Sequence, residues 1–259
     1  MGRRTYSALQ ARLRDEWFGI VETPDVWIDR GPMNDGESQS IRVENAATGM
    51  MGVAKPGPGK AAEEGHYRAA HEKLAFDLAY LVHLPVAPVV LWRDQAPDIY
   101  KRGRSISAWT FEQSLKWDEA QNRGLITPVL RESAGPIVSA MRVFHTWIAD
   151  TDRKSDHTQV NVDSPEKSLE TAFIDHGNSL AFVWKSADHP TPPQAPYMPA
   201  PEHSDVMIET AVFITGLEDG EVSRVVNRIG LPYLPADPKA HILANLLARK
   251  RNLRAILGI

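Results

Sequence analysis

The chain has no cysteine, which excludes disulfides, thiolate metal sites and thiol nucleophiles in one step. That composition fits a cytoplasmic protein, which is the expectation here. No stretch approaches the ~20 apolar residues of a membrane span. Arg12, Arg14, Asp15 and Glu16 interrupt the N-terminal region where a signal peptide would carry its apolar run. A basic excess is also missing: the formal net charge is −4 and the pI near 6.1, so binding to nucleic acid through phosphate contacts is not expected. Several signatures are absent as well. GPGK at 57–60 lacks the G-x-x-x-x-G-K-[ST] spacing, and neither G-x-S-x-G nor H-E-x-x-H occurs.

What is present is enough apolar material for a large core. With 259 residues, of which 42% are hydrophobic, the chain can form one big domain or two smaller lobes. Leu9, Leu13 and Trp17 predict an amphipathic helix over residues 6–17. Strands follow at 26–28 and 41–44, joined by a loop over 30–40 rich in turn residues, whose Gly36, Glu37 and Ser38 could offer backbone N–H groups to phosphates. A surface hairpin explains that loop equally well. A further strand closes on Lys55, a helix spans 61–82 with Leu74, Leu78 and Leu81 at helical spacing, and residues 89–92 read as a strand. Residues 98–108 are read as including a strand that links two lobes, and 109–131 as irregular. A strong helical pattern then covers 133–149 through Ile137, Met141, Phe144 and Ile148. A proline-rich excursion occupies 184–205, and helices are expected at 206–215, 221–229 and 238–257. The basic run Arg249-Lys250-Arg251 reads as a solvated helix face.

The chemistry concentrates in HTWIADTDRKSDHTQVN at 145–161 and FIDHG at 173–177. Here an apolar helix is followed by carboxylates, an arginine and an asparagine, and a short apolar run ends in another carboxylate. Phosphoryl transfer needs a carboxylate to orient the attacking hydroxyl, oxygen ligands for magnesium, and positive charge against the phosphates. Lys55 at a strand end after a Gly-containing loop is placed like the phosphate-pairing lysines of kinases. A buried lysine needs a counter-charge, which Glu72 on the following helix can supply; Glu63, Glu64 and Asp77 compete for that role. His157 and His176 read as local hydrogen-bonders.

VAKPG at 53–57, HEKLAFDLAYLVHLPVAP at 71–88, WIADTDR at 147–153, VNV at 160–162 and FIDHGNSLAF at 173–182 together resemble the HipA-like kinases, distant relatives of the protein-kinase and phosphoinositide-kinase folds. The resemblance implies an α+β, two-lobed kinase-like fold: a β-rich nucleotide-binding lobe over 1–108 and a helical lobe over 109–259 carrying the catalytic and metal-binding loops. It implies that Lys55 contacts ATP phosphates, that Glu72 pairs with Lys55, that Asp152 is the catalytic aspartate, and that Asn161 and Asp175 hold Mg2+. Family members often have Asn two residues before the catalytic aspartate and His two after it, where this chain has Asp150 and Lys154. Kinases also place the catalytic aspartate and metal asparagine five apart, whereas Asp152 and Asn161 stand nine apart. Asp156 does stand five before Asn161, so it remains an alternative to the preferred Asp152.

The expected activity is an ATP- and Mg2+-dependent phosphotransferase acting on a serine or threonine hydroxyl of a protein. Two alternatives are a small-molecule kinase and a pseudokinase that holds nucleotide or a partner without turnover. Sequence does not identify the phospho-acceptor.

Overall fold

Short β-branched segments separated by turn residues in the first part of the chain assemble into one antiparallel sheet. Its strands are β1 (Trp27–Pro32), β2 (Ile41–Asn45), β3 (Met51–Pro56), β4 (Val89–Trp92) and β5 (Arg104–Ala108), in the spatial order β1-β2-β3-β5-β4. This computed structural model describes residues 8–23, 26–33, 40–56, 67–92, 104–150, 152–163, 168–180 and 202–259. Alternation puts Val43 and Ala54 on the inner face, while all of Val89, Val90 and Leu91 are buried because β4 is covered on both sides. The register Lys55↔Ser105 carries Lys55 to the end of a central strand.

Helix α1 (Ala8–Gly19) precedes the sheet, and α2 (Arg68–Leu81) connects β3 to β4 and packs on β3, β4 and β5. Every residue of α2 from Ala69 to Ala79 is buried, including His71, Glu72, Lys73 and Asp77. A helix buried all round is ordinarily apolar all round; α2 keeps its charges by pairing them. Lys73 Nζ donates to Asp77 Oδ1 at 2.8 Å and to the Trp17 carbonyl at 2.9 Å, the latter at the end of α1. Arg228 approaches Asp77 at 3.8 Å. Burial pulls Lys73 down to about 8 and pushes Asp77 up to about 6, each opposed by its partner's charge.

Beyond β5 the chain forms β6 (Ser114–Lys116), α3 (Trp117–Asn122) and α4 (Pro128–Trp147). The first two lie in the stretch read from sequence as irregular. Helix α4 also begins earlier than the apolar pattern predicts, because Thr127 caps it by accepting from the Leu130 N–H, with Pro128 in the first turn. A 3-10 turn at Ser155–His157 leads into β7 (Thr158–Asn161), which pairs antiparallel with β6 and β8 (Thr171–Phe173). Helices α5 (Ser204–Gly216), α6 (Asp219–Arg228) and α7 (Ala236–Leu257) follow, with α5 and α7 packed on α4. No helix among the described residues is long and apolar enough to cross a membrane.

Two connections set the position of the functional residues. The Phe173 N–H donates to the Pro85 carbonyl at 2.8 Å and the Ala87 N–H to the Phe173 carbonyl at 2.9 Å, so β8 is tied to the segment joining α2 and β4. At the other side, Arg249 Nε donates to the carbonyls of Thr146 and Trp147, both at 3.1 Å, capping the last turn of α4. Lys250 donates to the Leu217 carbonyl at 2.6 Å and pairs with Asp219. The basic run expected to be a solvated face is therefore corrected in part: Arg249 and Lys250 are buried helix-end ties, and only Arg251 is exposed. Their charge was visible in the sequence, but the carbonyls they satisfy come from distant segments.

The buried pair on α2 yields a stability prediction. Removing one partner leaves an uncompensated buried charge, whereas removing both does not. Lys73→Met or Asp77→Leu alone should lower the unfolding free energy by about 3–5 kcal/mol, and the double variant by clearly less than either, as read by urea denaturation. Additive losses would show that the pair is not coupled.

Candidate active site

The helix that delivers the site ends in a chain reversal. Asp150 N–H returns to the His145 carbonyl at 2.9 Å and Ala149 N–H to the Thr146 carbonyl at 3.3 Å, the bonding of a Schellman motif. Ala149 occupies the left-handed position at φ 51°, a place that glycine usually takes because it has no Cβ penalty. The reversal turns Asp150 inward, where it is fully buried and accepts from Asp152 N–H at 3.2 Å and from Arg153 Nη1 at 3.3 Å. Burial pushes the Asp150 carboxyl up to about 6 against the pull of Arg153.

Arg153 is the staple of this region. Its guanidinium donates to the carbonyls of Ile174, Asp175 and His157, all at 3.0 Å. One buried cation thus fixes the segment after α4 against the segment after β8 through three backbone carbonyls.

The Asp-His-Gly turn at 175–177 meets α2 and β3. Lys55 Nζ lies 2.9 Å from Glu72 Oε1 and 3.0 Å from Asp175 Oδ1. Glu72 Oε2 accepts from the His176 N–H at 3.1 Å, and His71 Nδ1 lies 3.2 Å from the Gly177 carbonyl. Of the acids weighed for Lys55, Glu72 is in contact and Asp77 is taken by Lys73, while Glu63 and Glu64 lie outside the described residues. Burial would lower Lys55, but the attraction of Glu72 and Asp175 outweighs it and raises the ammonium above its ordinary range. Burial would raise Asp175, but Lys55, His157 and Arg153 hold its carboxyl well below the usual range. Asp175 itself has φ 61°, a left-handed conformation that aspartate tolerates better than most residues.

Asp152 stands at the open side. Asn178 Nδ2 donates to its Oδ2 at 2.7 Å, and Lys154 Nζ lies 3.3 Å from its Oδ1. Asp156, in the 3-10 turn, has Oδ1 3.7 Å from His157 Nε2. Gly36 and Ser38 lie outside the described residues, between β1 and β2.

Asn161 is not brought to Asp175, and its reading as the companion metal ligand is corrected by the strand register. Thr158 faces Phe173 and the Asn161 N–H donates to the Glu170 carbonyl, so Asn161 lies at the opposite end of the β7–β8 pair. Five residues of extended chain separate Glu170 from Asp175, about 16 Å at the strand rise. Its side chain is also engaged, donating to Glu170 Oε2 at 2.7 Å and accepting from Asp163 N–H at 3.1 Å. The residue that does face Asp175 is His157, with Nε2 3.6 Å from Asp175 Oδ2. The missed signal was the five-residue spacing counted from Asp152, which lands on His157. Asn178 was missed because nothing local marks an amide after a turn as a partner of Asp152.

His145, Asp150 and His176 form a second cluster of buried donor atoms, all within 4.8 Å of one another. The two imidazoles already share a hydrogen bond, Nε2 to Nε2 at 3.3 Å, and the Arg153 guanidinium beside Asp150 opposes a further cation. The pair instead joins the Asp-His-Gly turn to the last turn of α4. Burial first, and Arg153 second, hold both rings well below the ordinary imidazole value of 6.5.

An imidazole held neutral in the folded state binds its proton only on unfolding, so it makes stability fall as pH drops below 6.5, by up to about 1.4 kcal/mol per unit. Asp150, raised to about 6 from 3.8, acts in the opposite sense between those values. His145→Gln should therefore reduce the fall in unfolding free energy between about pH 6.5 and 5 by up to about 1.4 kcal/mol per unit relative to the parent protein. Urea melts across that range check this, and an unchanged slope would mean that His145 is not held neutral.

No protein-family model matches the chain. No curated protein matches it by sequence. Among solved structures the chain is similar to the proinflammatory kinase CtkA of Helicobacter pylori, with a TM-score of 0.60 over 90% of this chain and 94% of that one, at 10% identity. It is also similar to WaaP in complex with acyl carrier protein, at a TM-score of 0.40, 13% identity, and coverage of 87% and 89%; that likeness is too distant to carry an argument. At such identity the comparison with CtkA speaks to fold alone: a β-sheet part carrying Lys55 and Glu72, and a helical part carrying Asp152 and Asp175, arranged as in that structure.

Proposed function

We propose that the protein is an ATP- and divalent-metal-dependent phosphotransferase, with a serine or threonine hydroxyl of a protein as acceptor. The observation that carries this reading is the meeting at Lys55 of Glu72 and Asp175, three residues from separate parts of the chain joined within 3.0 Å. An ammonium oriented by a buried carboxylate, beside a second carboxylate that is more exposed, suits polyphosphate and its cation. The donor atoms fit a divalent ion: Asp175 Oδ2 has no direct hydrogen-bond partner among the described residues, and His157 Nε2 faces it. The resemblance to HipA-like kinases implies Mg2+ there. A bound cation would offset the negative charge of the nucleotide phosphates.

Each side chain then has a separate task. Lys55 neutralises phosphate charge, and Glu72 keeps its ammonium aimed. Asp175 and His157 hold the cation. Asp152, its carboxylate oriented by Asn178 and Lys154, accepts the proton of the acceptor hydroxyl as its oxygen bonds to the γ-phosphorus. The bond from that phosphorus to the bridging oxygen breaks, and ADP leaves with the electron pair. Asp152 is 37% exposed, which supports an acceptor presented on a macromolecular surface. Asp156 lies beside His157 and is assigned no proton transfer.

Nucleotide-binding and turnover assays with purified protein and a cell-extract acceptor test these roles. Asp175→Asn should lose metal-dependent nucleotide binding along with turnover. Asp152→Asn should keep nucleotide affinity and lose about 10²–10⁴ in rate. Asp156→Asn should retain the rate within about tenfold of the parent, well short of that loss. A reversed result for the two aspartates would exchange their assignments. Nucleotide binding without turnover on any acceptor would favour the pseudokinase alternative.

A further inference from the structure

The position five residues after Asp152 carries an imidazole where the kinase pattern has an asparagine. An asparagine offers a cation an amide oxygen, a hard donor suited to Mg2+. A histidine offers a nitrogen, which first-row transition-metal divalent ions, Mn2+ included, accept more readily than the small, hard Mg2+. We infer that His157 and Asp175 form a mixed nitrogen–oxygen cation site, so that the nucleotide complex this protein binds best is a transition-metal one, with Mn2+ favoured over Mg2+.

The geometry supports a shared ion. His157 Nε2 and Asp175 Oδ2 are 3.6 Å apart, too far for a good hydrogen bond. Two donors that each lie about 2.1 Å from one ion stand roughly 3.0–3.6 Å apart, according to the angle between them. The pair has that spacing before any ion is placed. Both donors are held from behind: Arg153 binds the carbonyls of His157 and Asp175, and the Ile174 N–H donates to the His157 carbonyl at 2.9 Å. A further oxygen is close, since Asp156 Oδ1 lies 3.7 Å from His157 Nε2 and is buried with no hydrogen-bond partner among the described residues. It can receive a metal-bound water. Opposite them, Lys55 contacts the other oxygen of Asp175, leaving the phosphates as the remaining ligands. Asn161 supplies no amide oxygen here, since it stands at the far end of the β7–β8 pair with its Oδ1 accepting from the Asp163 N–H.

This inference rests on the phosphotransferase reading and specifies its cation. The test measures binding of a non-hydrolysable ATP analogue to the full chain by calorimetry, with Mg2+ or Mn2+, for the parent protein, His157→Asn and His157→Gln. The parent should bind the analogue at least about tenfold more tightly with Mn2+, and both variants should narrow that ratio to about threefold or less. Pulsed electron-spin resonance of the Mn2+–analogue complex in ¹⁵N-histidine-labelled protein should show a nitrogen coupling that both variants abolish. Equal affinities in the parent without that coupling would overturn the inference and leave the phosphotransferase reading standing. If the folded parent, verified by a cooperative melt, binds no analogue with either ion, both are overturned.

Discussion

A carboxylate buried to 2% exposure on the inner side of α2 is costly to desolvate without partners, and Glu72 has two that come from distant parts of the sequence. One oxygen holds the Lys55 ammonium from β3, and the other accepts the His176 N–H from the turn after β8. The sheet, its helix and the Asp-His-Gly turn therefore share one side chain. Because Asp175 contacts the same ammonium, the position of the more exposed carboxylate depends on the buried one. Loss of Glu72 would leave Lys55 half-compensated and the turn without its tether.

The same logic recurs wherever regular structure runs out. Arg153 satisfies three carbonyls at the meeting of two loops, Arg249 caps α4, and Lys73 reaches the carbonyl of Trp17 at the end of α1. Each buried cation is matched to carbonyl oxygens at the ends of regular elements, some of which also accept a backbone N–H. These ties cost desolvation but fix loops that secondary structure cannot fix. A phosphoryl-transfer site depends on such positioning, because its chemistry asks for few covalent steps and for charges already in place.

The resemblance to HipA-like kinases and the likeness to CtkA agree on a kinase-like architecture while leaving this chain's own chemistry to its residues. Asp150 is a case in point. It stands where the HipA-like kinases that the sequence resembles often carry asparagine, and in this chain it is a buried partner for Arg153. His157 is a second case, a nitrogen donor facing the carboxylate at the end of β8.

Local pattern carried much of the architecture. Helical spacing located α2, α4 and the last three helices to within a few residues at most ends, the alternation of IRVE located β2, and a short apolar run located β4. The approach of Lys55, Glu72 and Asp175 was legible too, because an apolar strand ending in lysine, a helix bearing acids and an apolar run ending in aspartate each have a chemical reason to be there. Asn161 was misplaced because spacing along the chain does not reveal strand register, and the register of β7 against β8 sends it to the far end. The burial of Arg249 and Lys250 was equally invisible, since their partners lie about 100 and 30 residues away. Sequence by itself determined which segments are helix or strand and which residue types are available, because those follow from local sterics and periodicity. Only the tertiary structure decided which charges meet and which donor faces Asp175, because those depend on distances between segments that the chain brings together only on folding.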